Sequence, residues 1–159
     1  MCSFNFFFVD SSFNLSNVSL SLVKDGQYYK SEVVDVNFQW DIALVRCKLD
    51  VEPFEIDLDP VIGSDIIAIG SPHGYENNVS TGSIGSVDRQ VYNYKGAPNY
   101  IFVDLSIFPG NSGGPVVKES NGKVVGMVTL IVSRGSGYGL NAALPSSYII
   151  QFLNENIGG

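Results

Sequence analysis

The sequence predicts an all-β domain closed by one C-terminal helix. Three observations predict it: Val, Ile, Phe and Tyr gathered in short runs, 17 glycines among 159 residues, and helical spacing of apolar residues only at the end of the chain. That length fits a single domain able to bury a real core. With 45% hydrophobic and 16% charged residues, the composition is that of a folded protein.

Along the chain, Val18, Leu20 and Leu22 alternate with Ser19 and Ser21, the period-two pattern of a half-buried strand. Asp25-Gly26 then signals a hairpin, with a return strand from Tyr28 to Val36. Ile42-Ala43-Leu44-Val45 begins the next strand, and the acidic stretch from Pro53 to Pro60 reads as an exposed connection. Ile66-Ile67-Ala68-Ile69, stopped by Gly70-Ser71-Pro72, is a buried strand. Further strands are expected over Val79 to Val87, Tyr100 to Leu105, Pro115 to Lys118 and Val124 to Val132, with Asn121-Gly122 turning between the last two. In the tail, Ser146 or Ser147 caps a helix whose one face carries Tyr148, Ile149, Phe152 and Leu153 before Gly158-Gly159 ends it. Many short strands and one terminal helix point to a barrel or sandwich.

The 9 Lys+Arg against 16 Asp+Glu leave a net charge of -7, which repels polyanions and excludes nucleic acid as an expected partner. Cys2 and Cys47 make no disulfide framework and no C-x-x-C metal pair; both read as free thiols, Cys47 packed in a strand. No apolar run approaches the roughly 18 residues that span a bilayer. Phe6-Phe7-Phe8-Val9 is too short, and lacks the basic start, for a signal peptide. The chain therefore carries no address, and its compartment and oligomeric state are not legible.

Gly110-Asn111-Ser112-Gly113-Gly114-Pro115 is the most informative stretch. Serine is a weak nucleophile, and its attack on a carbonyl puts negative charge on oxygen. A tight turn whose N–H groups converge on that oxygen meets the need, and glycine tolerates the backbone such a turn requires. The competing reading is a hairpin loop that happens to contain serine. The stretch also satisfies G-x-S-x-G, but that elbow runs from strand into helix, whereas Pro115-Val116-Val117 is a β-run.

The segment from Asp104 to Pro115 resembles the nucleophile segment of HtrA/Do-like trypsin-fold serine proteases. Trp40-Asp41-Ile42-Ala43-Leu44-Val45 is similar to their catalytic aspartate segment, and Ala68 to Gly74 to the loop after a central strand. Val79 to Val87, Lys123 to Met127 and Leu144-Pro145-Ser146 come in the same order, so the resemblance runs from about Leu20 to Leu153. It implies a chymotrypsin-like double β-barrel, here with an incomplete first barrel, and a C-terminal helix. Residues 9–90 would be the remnant of the first barrel and the start of the second, 91–145 the second barrel, and 146–157 the helix. Ser112 would be the nucleophile, Asp41 the residue that orients a histidinium, and the N–H groups of Gly110 and Ser112 the oxyanion hole. Ser106 would lie near the base of the S1 pocket, and Thr129, Leu130 and Ile131 along the strand that pairs with substrate. A pocket floored by serine and walled by Leu130 or Ile131 would take a small or medium apolar residue. No cofactor or metal is required.

The resemblance also implies a histidine before Asp41, and there is none. The single histidine, His73, gives the chain order Asp, His, Ser of subtilisin-like proteases, but those are α/β proteins and this chain lacks alternating helices. Val9-Asp10-Ser11-Ser12 resembles the residues just after the family histidine, which places the missing residue at Phe7 or Phe8. Residues 1–8 are thus expected to be an atypical lead-in that replaces the native one, leaving a neighbouring strand edge unpaired. Loss of the base alone costs on the order of 10⁶ in rate, while the rest of the site keeps roughly 10³–10⁴ over water. The expected function is a serine endopeptidase domain acting on peptides or unfolded protein by acyl-enzyme chemistry, impaired in this chain. The alternative is a non-catalytic pseudoprotease that binds extended peptide by strand addition.

Overall fold

The computed structural model describes residues 3–7, 20–71, 78–91, 95–133 and 139–157. Ten strands and one helix follow in chain order: β1 (Ser3–Phe7), β2 (Leu20–Lys24), β3 (Gln27–Asn37), β4 (Ile42–Cys47), β5 (Asp65–Gly70), β6 (Asn78–Gln90), β7 (Asn99–Asp104), β8 (Pro115–Lys118), β9 (Val124–Ser133), β10 (Gly139–Pro145) and α1 (Ser146–Ile157). They form an antiparallel four-stranded sheet, ordered β1-β4-β3-β2, and a closed six-stranded barrel, ordered β10-β7-β6-β5-β8-β9. The all-β reading with one terminal helix holds, and the first sheet is open where the second closes.

In the first sheet β4 is central, paired with β1 on one side and β3 on the other. Its unbroken apolar run reflects burial of both faces: Ile42 and Leu44 pack towards the barrel and helix, and Ala43, Val45 and Cys47, on the alternate face, are buried as well. The β2–β3 hairpin turns at Asp25-Gly26, both at positive φ (53° and 72°), as a two-residue connection of this hand demands. The opening segment, expected only as a lead-in, is built into the sheet: Ser3 to Phe7 pair with Cys47 to Ala43. The edges left without a neighbour among the described residues are β1 and β2.

The barrel core gathers Ile66, Ile84, Ile101, Val103, Val116 and Val125, drawn from five strands. A second cluster joins the two halves of the molecule. Ile42 and Leu44 of the first sheet meet Tyr100, Leu144, Ile149 and Phe152 of the barrel and helix. The helix face expected from spacing is the one that packs, with Ile149 and Phe152 buried and Tyr148 and Leu153 partly so. Burying a side chain such as Phe152 stabilises by about 1.5–3 kcal/mol. Ser146 opens the helix, and its hydroxyl donates to the Val124 carbonyl at 2.8 Å, outside the helix. Strand β10, not singled out by its own pattern, closes the barrel between β7 and β9.

The acidic connection between the two sheets is exposed at Phe54 and Leu58 but tied down between them. Val124 donates its N–H to Glu55 and accepts from Asp57, so the connector runs as a one-residue parallel bridge beside β9. Lys118, 9% exposed, donates to Asp57 Oδ2 at 2.7 Å and to the Asp59 carbonyl at 2.9 Å. These bonds, with those from Asn121 and the Asp59 N–H, lower the Asp57 pKa from 3.8 to about 2, the Lys118 hydrogen bond being the largest cause. Glu55 is likewise lowered by its bond to Lys123, on an exposed face.

Candidate active site

After β7 the chain leaves the barrel and cannot satisfy its carbonyls in a ladder. Leu105 and Ile107 turn into the core, while Ser106 and Phe108 face outward. Two side chains from other strands supply the missing donors. Asn141 Nδ2 of β10 donates to the Leu105 carbonyl, and Ser80 Oγ of β6 donates to the Ser106 carbonyl at 2.7 Å. Sequence reasoning missed both residues. A serine and an asparagine inside strands carry no signal until the pairing of β6 and β10 with β7 is known.

Two linked turns then present Ser112. Asn111 donates its N–H to Phe108 at 3.0 Å, and Gly114 donates to Asn111 at 3.0 Å. Gly110 and Gly113 sit at φ 103° and 84°, a region that side-chain-bearing residues avoid, which is why the glycines flank the serine. Gly114 is required for another reason: a Cβ there would overlap the Ile69 carbonyl oxygen. Ser112 is exposed at the crest, and Asn111 is its buried keel, 2% exposed and packed on the backbone of Gly70. The Gly110 carbonyl accepts from Ser71 at 3.2 Å. Among the described residues neither the Gly110 nor the Ser112 N–H has an acceptor. Asn111 Oδ1 is buried without a partner.

The turn is docked on β9. Gly113 donates to the Val128 carbonyl at 2.7 Å, and Val128 donates back to Gly114 at 2.9 Å. Beyond Val128 the strand pairs with β10 on one side only, since β8 stops opposite Met127. Residues 129–133 thus keep a free edge among the described residues, starting one residue from the serine turn's anchor. Thr129 itself is 3% exposed and donates Oγ1 to the Ala142 carbonyl at 3.3 Å, so its side chain is spent on the barrel and only its backbone faces that edge. Register places Leu130 opposite Ala142 and Ile131 opposite Asn141.

Asp41 belongs to a separate turn of the first sheet and carries a positive φ of 56°. The Asn37 side chain shapes that turn by accepting from the N–H groups of Gln39 and Trp40 at 3.0 and 3.1 Å. Trp40 carries the turn across to the barrel: its Nε1 donates to the Gly96 carbonyl at 3.2 Å, and its ring meets Tyr148 edge-on with centroids 5.0 Å apart. Strand β1 ends beside the same turn, with Phe7 opposite Ala43. Phe8 and His73 lie outside the described residues. The structure therefore brings together Gly110, Ser112 and the Thr129–Ile131 edge, keeps Ser106 just upstream of them, and sets Asp41 in a turn anchored to the barrel through its neighbour.

No group of three or more His, Cys, Asp or Glu residues that could hold a metal occurs among the described residues. No described helix is long and apolar enough to cross a membrane. A cavity of about 500 Å³ lies between the connector and the start of α1, lined by Leu58, Val87, Ile101 and Tyr148 among others, and it includes none of the residues of the serine turn.

Comparison with known proteins agrees with this fold. The family model described as trypsin-like peptidase domain matches residues 9–127. A probable periplasmic serine endoprotease DegP-like of Chlamydia trachomatis is 36% identical over 137 residues, 84% of this chain and 27% of that protein. Serine protease HTRA1A of Danio rerio is 35% identical over 150 residues, 90% of this chain and 30% of that protein. The solved structure of the HtrA-type protease AlgW with decapeptide superposes with a TM-score of 0.75 at 26% identity, covering 86% of this chain and 43% of that one. The chain thus spans less than a third of the length of these two curated relatives.

Proposed function

This chain belongs to the trypsin-like peptidase domain family, in its HtrA-like branch, and from that membership we propose that it is a serine endopeptidase domain built around Ser112, working without its histidine. One observation carries the reading: the turn that exposes Ser112 hangs from Val128, and the strand runs on from there with an edge that is free among the described residues. An extended peptide adding to that edge would bring its carbonyl past Ser112, with the N–H groups of Gly110 and Ser112 left to receive the oxyanion. Ser106 would floor the pocket for the residue before the scissile bond, and Asp41 would orient and stabilise a base. The solved relative AlgW carries a decapeptide, which supports peptide as the ligand class.

Attack would join Ser112 Oγ to the substrate carbonyl carbon, expel the amine to leave an acyl-enzyme, and end with water releasing the acid. Without a histidine as base the hydroxyl proton passes to water, water returns a proton to the departing amine nitrogen, and rate falls by on the order of 10⁶ from that of a full triad. The test is cleavage of a fluorogenic apolar peptide by the parent chain and by Ser112→Ala. Slow turnover confined to the parent supports the endopeptidase reading; turnover retained in Ser112→Ala overturns it.

A second reading is a peptide-binding pseudoprotease. It is favoured by phenylalanine at positions 7 and 8, where the resemblance places the histidine, Phe7 ending the strand beside the Asp41 turn. Micromolar binding of apolar peptides without cleavage, equal in parent and Ser112→Ala, would select it.

A further inference from the structure

We propose that Ser80 and Asn141 determine which side chain the cleft accepts before the scissile bond, by fixing the depth of Ser106; the proposal rests on the peptide-cleft reading above. Two consecutive carbonyls outside any ladder, those of Leu105 and Ser106, take side-chain donors from two different strands. A hydrogen bond to one of them would leave the segment free to pivot. Two, from β6 and β10, fix both peptide planes that flank the Ser106 Cα. Leu105 at 4% and Ile107 at 9% exposure pin the flanking side chains in the core, so Ser106 can neither sink nor swing.

Asn141 links this floor to the edge that would receive peptide. Its backbone lies opposite Ile131 of β9 on one side and Val103 of β7 on the other, while its amide reaches Leu105. A peptide on β9 and its side chain above Ser106 are thereby held at a separation set by one residue. With Ser106 held up and no carboxylate in the segment from Leu105 to Gly114, the floor suits a small aliphatic side chain, Ala or Val, and neither an aromatic nor a cationic one. Removing the Asn141 amide frees the Leu105 carbonyl and opens space beside it, so the floor drops.

The test measures binding of fluorescein-labelled tetrapeptides ending in Ala, Val, Leu or Phe, as cleavage products would, to the parent chain, Asn141→Ala and Ser80→Ala, with thermal midpoints alongside. The parent should favour Ala and Val over Phe by about tenfold, the scale on which pocket size discriminates between apolar side chains. Asn141→Ala should shift that ratio by about tenfold towards Leu and Phe, and Ser80→Ala, which removes a single oxygen, should shift it the same way by less. All four affinities falling together, with the order unchanged in both variants, would overturn the proposal and leave the cleft intact. A parent that binds none of the four would instead overturn the peptide-cleft reading on which it rests.

Discussion

Gly113 donates its N–H to the carbonyl of Val128 at 2.7 Å, and through this bond the loop bearing Ser112 is held to the strand whose next residues offer an edge that is free among the described residues. On the proposed reading, nucleophile and peptide register would both be set by one piece of backbone. Thermal motion of the loop relative to the strand costs that hydrogen bond before it moves the serine.

Gly114 leaves no room for a side chain in this arrangement. A methyl group there would overlap the Ile69 carbonyl and stand 2.9 Å from the Asn111 carbonyl. Gly114→Ala should destabilise by about 1–3 kcal/mol, as overpacking does, measured by urea unfolding. Gly122→Ala is the contrast: nothing lies within 4 Å of its Cβ position, and the positive φ of 70° alone should cost about 1–2 kcal/mol.

The turn bearing Asp41 depends on its neighbour. Trp40 is the single tryptophan, so its fluorescence reports the anchor to Gly96 and Tyr148 directly. Trp40→Phe keeps an aromatic ring and loses the Nε1 bond, and should cost about 0.5–1.5 kcal/mol. Trp40→Ala should cost about 2–4 kcal/mol in urea unfolding, since it also empties the contact with the second core cluster.

Acid should release the connector. Asp57 is held at about 2 against an ordinary 3.8, so its ion pair with Lys118 contributes stability above pH 3.8 that disappears as pH falls towards 2. With the two side chains 15% and 11% exposed, that contribution is about 1–2 kcal/mol. Asp57→Asn should remove this part of the pH dependence between pH 4 and 2 and lower stability at pH 7. An unchanged acid limb in urea titrations of that variant would contradict the assignment.

How far the sequence disclosed this molecule depends on whether a residue's role is local. Asp25-Gly26 was legible because a two-residue hairpin needs positive φ whatever surrounds it, and Gly122 because the longer turn from Lys118 to Lys123 also needs one residue at positive φ. The run from Ile42 to Val45 was legible because a strand covered on both faces loses its alternation and reads as continuously apolar. The glycines around Ser112 were legible as a turn for the same local reason. Strand β10 was not, because its place is set by β7 and β9 rather than by its own alternation. Nor were Ser80 and Asn141, whose partners lie 26 and 36 residues away along the chain, nor the bond of Asp57 to Lys118, 61 residues distant. The helix start was legible but its chemistry was not: the Ser146 hydroxyl serves Val124 of a neighbouring strand.

The most direct measurement is the rate of fluorophosphonate labelling, located by peptide mass spectrometry, in the parent chain, Ser112→Ala, Phe7→His and Phe8→His. A nucleophile turn lacking only its base predicts slow labelling confined to Ser112, none in Ser112→Ala, and acceleration of about 10²-fold or more when histidine stands at one of the two positions. Labelling that persists in Ser112→Ala, or a Ser112 that stays inert with histidine at either position in a folded chain, would contradict it.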